Sequence, residues 1–291
     1  MSDWDVRVLR PGEERKSQSL SRRVWSHEAS RDLGREVVYP ARSVRIFRAY
    51  LADKSVQPFA AFSKKKLVGQ CFGHLWGDQG WIGPIEVDHR HRAQGIASDL
   101  LLRTEERLTA MGARVLGLEA AADRSDILAF YEKRGYREVS RTMFYQKKLK
   151  ARRTVLPPSG PMPTPELLAA CGVDCSVEMR MTEAYGLGLR LGDGVNGSAA
   201  VYLHPLRGVP MSALRVLLSN SEDDMRRLLT AAEAAASAGG SDMLFFNARA
   251  DERAHAVITS LGYAAKGVNV TMVKKGTYQP PGVYCIAPWA G

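Results

Sequence analysis

Five prolines within nine positions, Pro157, Pro158, Pro161, Pro163 and Pro165, limit the folding of this chain more than any other feature. Each proline removes a backbone donor and fixes φ, so no helix interior or central strand can run through the stretch. The composition predicts an extended, proline-rich connector over residues 152–165, with one domain at 1–151 and another at 166–291. A chain of 291 residues can bury two cores of this size without disulfides or a metal.

The two sides differ in charge. Of the net +10, residues before 151 hold 28 basic and 19 acidic side chains, and those after hold 13 and 12. A basic half calls for an anionic partner: nucleic acid, an anionic surface or a phosphorylated small molecule. No run of about 18 apolar residues exists, so no membrane span is expected. The acidic start Met1-Ser2-Asp3-Trp4-Asp5 has no apolar stretch of the secretory kind. Cys71, Cys171, Cys175 and Cys285 make no Cys-x-x-Cys pair, and a reducing, cytoplasmic setting is expected.

Periodicity lays out the first half. Val6–Arg10 alternates as an opening strand does, Glu13–Trp25 reads as a polar helix and Val44–Ala52 as a second helix. Phe59–Phe62, Leu67–Trp76 and Trp81–Val87 read as strands, the last two joined by Gly77-Asp78-Gln79-Gly80 as an antiparallel hairpin. From Gly95 the period becomes helical, with Ile96, Leu100, Leu101, Leu108 and Met111 on one face and Gly112 as the stop. A strand at 115–120, a helix at 125–133 and a closing strand at 138–149 complete a mixed α/β domain.

The segment Ile85-Glu86-Val87-Asp88-His89-Arg90-His91-Arg92-Ala93-Gln94-Gly95-Ile96-Ala97-Ser98 carries the chemistry. A strand ends, a basic loop turns and an amphipathic helix begins. Small residues at 93, 95 and 97 let a ligand approach the backbone, and the free N–H groups of a helix start suit a pyrophosphate. Without a Lys-Ser/Thr pair it is no nucleoside-triphosphatase loop, and it does not fit the Gly-x-Gly-x-x-Gly pattern. The plainer alternative is an ordinary strand–helix turn.

Arg92-x-x-Gly95-x-Ala97 resembles the Arg/Gln-x-x-Gly-x-Gly/Ala hallmark of the GNAT superfamily of acyl-CoA-dependent N-acyltransferases. Leu118-Glu119 and Phe130-Tyr131-Glu132-Lys133-Arg134-Gly135-Tyr136 extend the likeness, which covers residues 4–150. The resemblance implies that the backbone of Arg92, Ala93, Gln94, Gly95, Ile96, Ala97 and Ser98 holds the coenzyme A pyrophosphate. It implies that Ile85–Val87 pairs with the pantetheine arm, and that Tyr131 protonates the departing thiolate. Arg124 stands where many members have an asparagine on the pantetheine, and His89 where a proline is frequent.

An attacking amine must be neutral, while an alkyl ammonium has a pKa near about 10.4. A base is therefore useful. Glu86 is the first candidate for base or water relay and Glu119 the second; a structural role for Glu86, facing a helix, is the alternative. His89-x-His91 lacks the further ligands of a metal site, and no metal is expected. His74, Trp76 and Trp81 line an acceptor pocket or pack the hairpin; Arg42, Arg45 and Arg48 meet an acidic acceptor or stay solvated.

Residues 211–275 laid over 82–148 give a partial repeat, with Val216 at the place of Val87 and Leu261-Gly262-Tyr263 at that of Arg134-Gly135-Tyr136. A helix at 222–236, a strand at 243–247, a helix at 251–261 and a strand at 268–274 follow the same order. This predicts a second, degenerate GNAT-like domain. Glu222-Asp223-Asp224 would repel a pyrophosphate, and Ile258 stands at the tyrosine position. The tail Tyr278–Gly291 is expected to pack back on the body.

The whole therefore reads as two GNAT-like domains, each a mixed, mostly antiparallel sheet flanked by helices. The expected activity is transfer of acetyl from acetyl-CoA to a small-molecule amine, directly and in a ternary complex. Acetylation of a protein or peptide amine is the competing enzyme reading; a non-catalytic acyl-CoA-binding regulatory module is the alternative from another class. No nucleic-acid motif supports a nucleic-acid partner. The chain acts alone or as a homodimer.

Overall fold

The computed structural model describes residues 4–150 and 155–288. Expectations for Met1–Asp3, for 152–154 in the connector and for 289–291 in the tail lie outside the described residues. The chain forms two compact units, the first made of described residues up to 116 with 206–209, the second of the described residues among 117–205 and 210–288.

In the first unit, β1 (Asp5–Val8), β2 (Val56–Ser63), β3 (Lys66–Trp76) and β4 (Gln79–Val87) pair antiparallel in that order. The β3–β4 hairpin closes at Trp76 opposite Gln79, as the Gly-rich link predicts. Between the pairs Cys71–Ile85 and Gly73–Ile82, Gly83 and Pro84 face Phe72 alone. This bulge bends β4 just before its reactive-looking end. α1 (Glu14–Leu33) runs eight residues past the expected Trp25 and stops where Gly34 adopts a left-handed φ of 62°. α2 spans Val44–Ala52 as expected, with the Ser43 side chain capping it.

α3 (Ile96–Ala110) lies on this sheet, burying Ile96, Leu100, Leu101, Thr104 and Leu108. Glycines permit that approach. A Cβ at Gly73 would come within 2.6 Å of Thr104 Cγ2, and one at Gly69 within 2.8 Å of Ile96 Cγ2.

The unit boundary falls inside β5 (Val115–Ala121). After it come α4 (Ser125–Glu132), β6 (Arg137–Lys148), α5 (Pro165–Cys171), α6 (Ser176–Ala184), β7 (Gly188–Gly192), β8 (Gly197–Leu203), β9 (Met211–Ser219), α7 (Glu222–Ala238), β10 (Met243–Arg249), α8 (Glu252–Ser260) and β11 (Ala264–Lys275). Strand order in the second unit is β5-β11-β6-β10-β9-β8-β7, antiparallel at β11–β6–β10 and β9–β8–β7, and parallel at β10–β9. The expected mixed α/β class, with mostly antiparallel pairing, is present.

The order shows a reciprocal exchange. The repeat β4-α3-β5-α4-β6 recurs as β9-α7-β10-α8-β11, but β11 lies beside β5 and β6 beside β10. Each repeat thus ends on a strand hydrogen-bonded to the other. One face of this sheet packs Tyr145, Leu214, Leu217, Leu244, Phe246 and Ala248 against Met225, Leu228, Leu229, Val257 and Ile258 of α7 and α8.

Residues 155–164 contain no helix or strand, as their prolines require. They run along β7: the Gly160 N–H donates to Arg190 O at 2.9 Å and the Thr164 N–H to Gly194 O at 2.8 Å. Thr164 then caps α5, with Pro165 in its first turn. The tail returns as expected within the described residues, bridging Leu217 and Ile286 through two backbone hydrogen bonds of 3.0 and 2.7 Å.

Candidate functional site

The loop after β4 is built on a buried carboxylate. Asp88, fully enclosed, accepts from the Arg90 amide at 3.2 Å, from Arg90 Nε at 3.1 Å and from Arg23 Nε at 3.2 Å. Burial alone would raise its pKa, but these donors hold the carboxyl well below the usual carboxylate range. A 3-10 turn, His89–His91, follows. Ala93 (φ 58°) and Gly95 (φ 89°) then turn the chain through left-handed conformations into α3.

Residues 92–95 are exposed, and the space where a Gly95 Cβ would stand is open. Ser98 and Asp99 donate back to Gly95 O at 3.0 and 3.1 Å. The Arg92 amide reaches His89 O at 3.4 Å. Between these engaged ends, the amides of 93–97 form the N-terminal cradle of the helix. The two loop arginines bring less free charge than their sequence suggests: Arg90 pairs with Asp88, and Arg92 with Glu28 of α1.

Next to this loop, Glu86 turns under α1 with 2% of its surface exposed. Its Oε1 accepts from Ser21 Oγ at 2.8 Å and from Trp25 Nε1 at 2.7 Å, with Arg42 at 3.8 Å. Its Oε2 accepts from Gln70 Nε2, and Gln70 Oε1 accepts from Ser17 Oγ at 2.6 Å. Sequence reasoning missed Ser17, Ser21, Trp25 and Gln70. The signal was there: serines four apart on a helix, with Trp25 and Glu28 continuing the stripe.

Other candidates separate. His74, Trp76 and Trp81 are buried, with stacked rings 5.6 and 6.2 Å apart, and Tyr50 meets His74 edge-on at 4.8 Å. They pack the hairpin. Arg42 turns inward to Glu86, whereas Arg45 and Arg48 are exposed. His89 stacks on His27 at 4.2 Å. Among the described residues no group of three or more His, Cys, Asp or Glu could hold a metal ion, and no helix is long and apolar enough to cross a membrane.

The second unit positions Tyr131 on α4 and Arg124 at its N-cap. Tyr131 is 9% exposed and meets Phe130 and Tyr136 edge-on at 5.2 and 5.6 Å. Arg124 is half-buried and pairs with Asp126 at 3.3 Å. Glu119 on β5 faces Asn247 Nδ2 at 3.5 Å. Burial pushes its carboxyl up to about 7, against the opposing pull of Thr142, Asn247 and the Arg215 charge. In the second repeat, α7 starts on Glu222, Asp223 and Asp224, and the Ser221 side chain accepts from the Asp224 amide at 3.1 Å. These carboxylates occupy the helix end that α3 leaves open.

The sequence profile of the Acetyltransferase (GNAT) family matches residues 23–136, from α1 through the turn after α4. This segment belongs to the GNAT family. The GNAT fold extends over the whole chain in tandem form. A candidate acetyltransferase from Pyrococcus horikoshii matches with a TM-score of 0.74 at 15% identity, over 100% of this chain and 95% of its own. A GCN5-related N-acetyltransferase from Sphaerobacter thermophilus matches with 0.60 at 13%, over 96% and 98%. A tandem GNAT protein from the clavulanic acid biosynthesis pathway matches with 0.59 at 13%, over 95% and 99%. No curated protein matches the chain in sequence.

Proposed function

We propose that the chain is an acetyl-CoA-dependent N-acetyltransferase that acetylates the amine of a small molecule by direct attack in a ternary complex. The exposed cradle between Asp88 and Asp99 carries this reading. It offers consecutive backbone donors at a helix start, left-handed turns at Ala93 and Gly95, and an open approach, which is what a pyrophosphate needs. The residues of the first unit therefore fit coenzyme A: amides of 93–97 for the diphosphate and the Ile85–Val87 edge for the pantetheine arm.

Bound acetyl-CoA supplies an activated thioester carbonyl. The chain's part is to orient it, to receive a proton from the incoming ammonium and to return one to the departing sulfur. Tyr131, on the helix the family uses for this step, donates the proton to sulfur. Ser21, Trp25 and Gln70 already occupy both oxygens of Glu86. We assign it the joining of β4 to α1, or the relay of a proton through water. The second repeat, with acids at its helix start, is silent and supports the first through β11.

Thiol release from acetyl-CoA is followed with a panel of small primary amines and a peptide amino terminus. The expected result is amine-dependent release with a small amine, a mass gain of one acetyl group on that amine, and a large fall in Tyr131→Phe. Acetyl-CoA binding without release by any amine overturns the enzyme reading in favour of a binding module. Release with the peptide alone overturns the small-molecule reading.

A further inference from the structure

The face of β10 turned away from the second unit's apolar core carries Phe245, packed 5.7 Å from Phe144, and beyond it two polar side chains. On β10, Leu244, Phe246 and Ala248 point into the core, so Asn247 and Arg249 point the other way. In register, Asn247 stands opposite Phe144 and Arg249 opposite Thr142 on β6. Glu119 of β5 reaches Asn247 on this face.

Asn247 is only 8% exposed, and among the described residues its Oδ1 has no hydrogen-bond partner. A buried amide oxygen left in this state is costly unless something comes to it. Arg249 is half-buried; the one described hydrogen bond of its side chain is to Pro281 O at 3.5 Å, and among the described residues no carboxylate pairs with it. Burial raises the Tyr278 hydroxyl's pKa, and the charges of Glu119 and Arg249 act on it in opposite directions.

We propose that Glu119, Thr142, Asn247 and Arg249 bind the acceptor, and that this acceptor carries a carboxylate as well as its primary amine. An ammonium has three donors, and the Glu119 carboxylate, Asn247 Oδ1 and Thr142 Oγ1 are three acceptors on one face. Arg249, with a planar fork and no carboxylate paired to it among the described residues, takes the carboxylate. The proposal rests on the acyltransfer reading for its chemistry. Glu119 takes one proton from the ammonium, giving neutral amine and carboxylic acid. The amine nitrogen bonds to the acetyl carbon as the carbon–sulfur bond breaks, Tyr131 protonates the thiolate and takes the second nitrogen proton in its place, and Glu119 releases its proton to solvent. Besides Thr142 and Asn247, the groups facing Glu119 are Arg215 of β9 and Tyr278 of the tail. The sequence halves share the site: Glu119 and Thr142 precede the proline connector, and Asn247 and Arg249 follow it.

The test uses the full chain and three probe pairs that differ by a carboxylate: lysine and cadaverine, ornithine and putrescine, β-alanine and ethylamine. Carbon-13 carboxyl NMR of glutamate-labelled protein follows the Glu119 signal, assigned by its loss in Glu119→Gln. At least one amino acid is expected to move that signal where its decarboxylated partner does not, and Arg249→Gln to remove the difference while Arg249→Lys keeps part of it. In turnover, the same amino acid is expected to be favoured at least tenfold in kcat/KM, and Glu119→Gln to lower kcat about a hundredfold. A Glu119 signal that responds to no probe, or equally within every pair, overturns the proposal. If an amino acid moves the signal but no acetyl is transferred, the site stands and the acyltransfer reading falls. If both members of every pair are acetylated equally, the acyltransfer reading stands and this site falls.

Discussion

Arg215 of β9 and Glu178 of α6 form an ion pair at 3.5 Å, with side chains 4% and 0% exposed. Tyr202 Oη donates to the other Glu178 oxygen at 2.7 Å. Laying Val216 over Val87 puts Arg215 at the place of Glu86, and both side chains turn to a preceding helix. One repeat has a strand carboxylate fed by helix donors; the other has a strand guanidinium answered by a helix carboxylate. Glu178→Ala removes one partner of a buried ion pair and is expected to cost roughly 3–5 kcal/mol in urea unfolding. Replacing both residues by methionine should recover most of that loss. A single substitution as mild as Glu222→Ala, at the exposed pair with Arg226, would refute this account.

The exchange of β6 and β11 makes the first repeat depend on the second. A fragment ending at residue 150 would leave β5 and β6 without the strand that lies between them. Two open edges of that length invite association. The fragment is expected to elute as aggregate and to bind no acetyl-CoA by calorimetry, and adding residues 155–291 as a separate chain should restore part of the binding. A monomeric fragment with full affinity would contradict the exchange.

How much of this could be read from the sequence varies with the interaction. The strand–loop–helix at 85–98 was legible because its signals are local: alternation, small residues, a change of period. α2 and α7 were likewise marked by strong amphipathic periods. β7 and β8 were not, since Gly188, Gly192 and Gly197 at their ends blunt any strand pattern. The exchange of terminal strands was invisible, because either partner satisfies the same alternation. Glu86 looked like a base beside the reactive strand end; only its contacts with Ser21, Trp25 and Gln70, each far off in sequence, tie it to α1. Arg92 looked free for the same reason, its partner Glu28 being far off in sequence, whereas Asp88 stands only two residues before Arg90.

Gly73 fixes how closely α3 approaches β3. A methyl there would stand 2.6 Å from Thr104 Cγ2 and 3.0 Å from Leu108 Cδ1. Thr104 cannot swing away easily, since it is β-branched and its Oγ1 donates to Leu100 O at 2.8 Å. Gly73→Ala should therefore lift α3, cost about 1–3 kcal/mol and raise the Kd for acetyl-CoA through the displaced cradle. Thr104→Ser in the same chain removes the clashing methyl and should restore both. Unchanged stability in Gly73→Ala, measured by urea unfolding, would show that the helix has slack.

Glu119 gives a pH dependence with a definite sign. Its carboxyl lies near 7 in the folded chain against 4.5 as the ordinary value, chiefly through burial. The folded state therefore holds this proton more tightly than the unfolded state does. Its contribution to stability is fully present below about pH 4.5 and is lost as pH rises toward 7. Glu119→Gln keeps the shape without the charge, so its Tm relative to the parent chain should climb between those two values and level off above pH 7. The parent's kcat should rise over the same upper range as Glu119 loses its proton, while Glu119→Gln should show a flat profile there. A Tm difference that stays constant from pH 4.5 to 8 would mean that Glu119 titrates as an ordinary surface carboxylate.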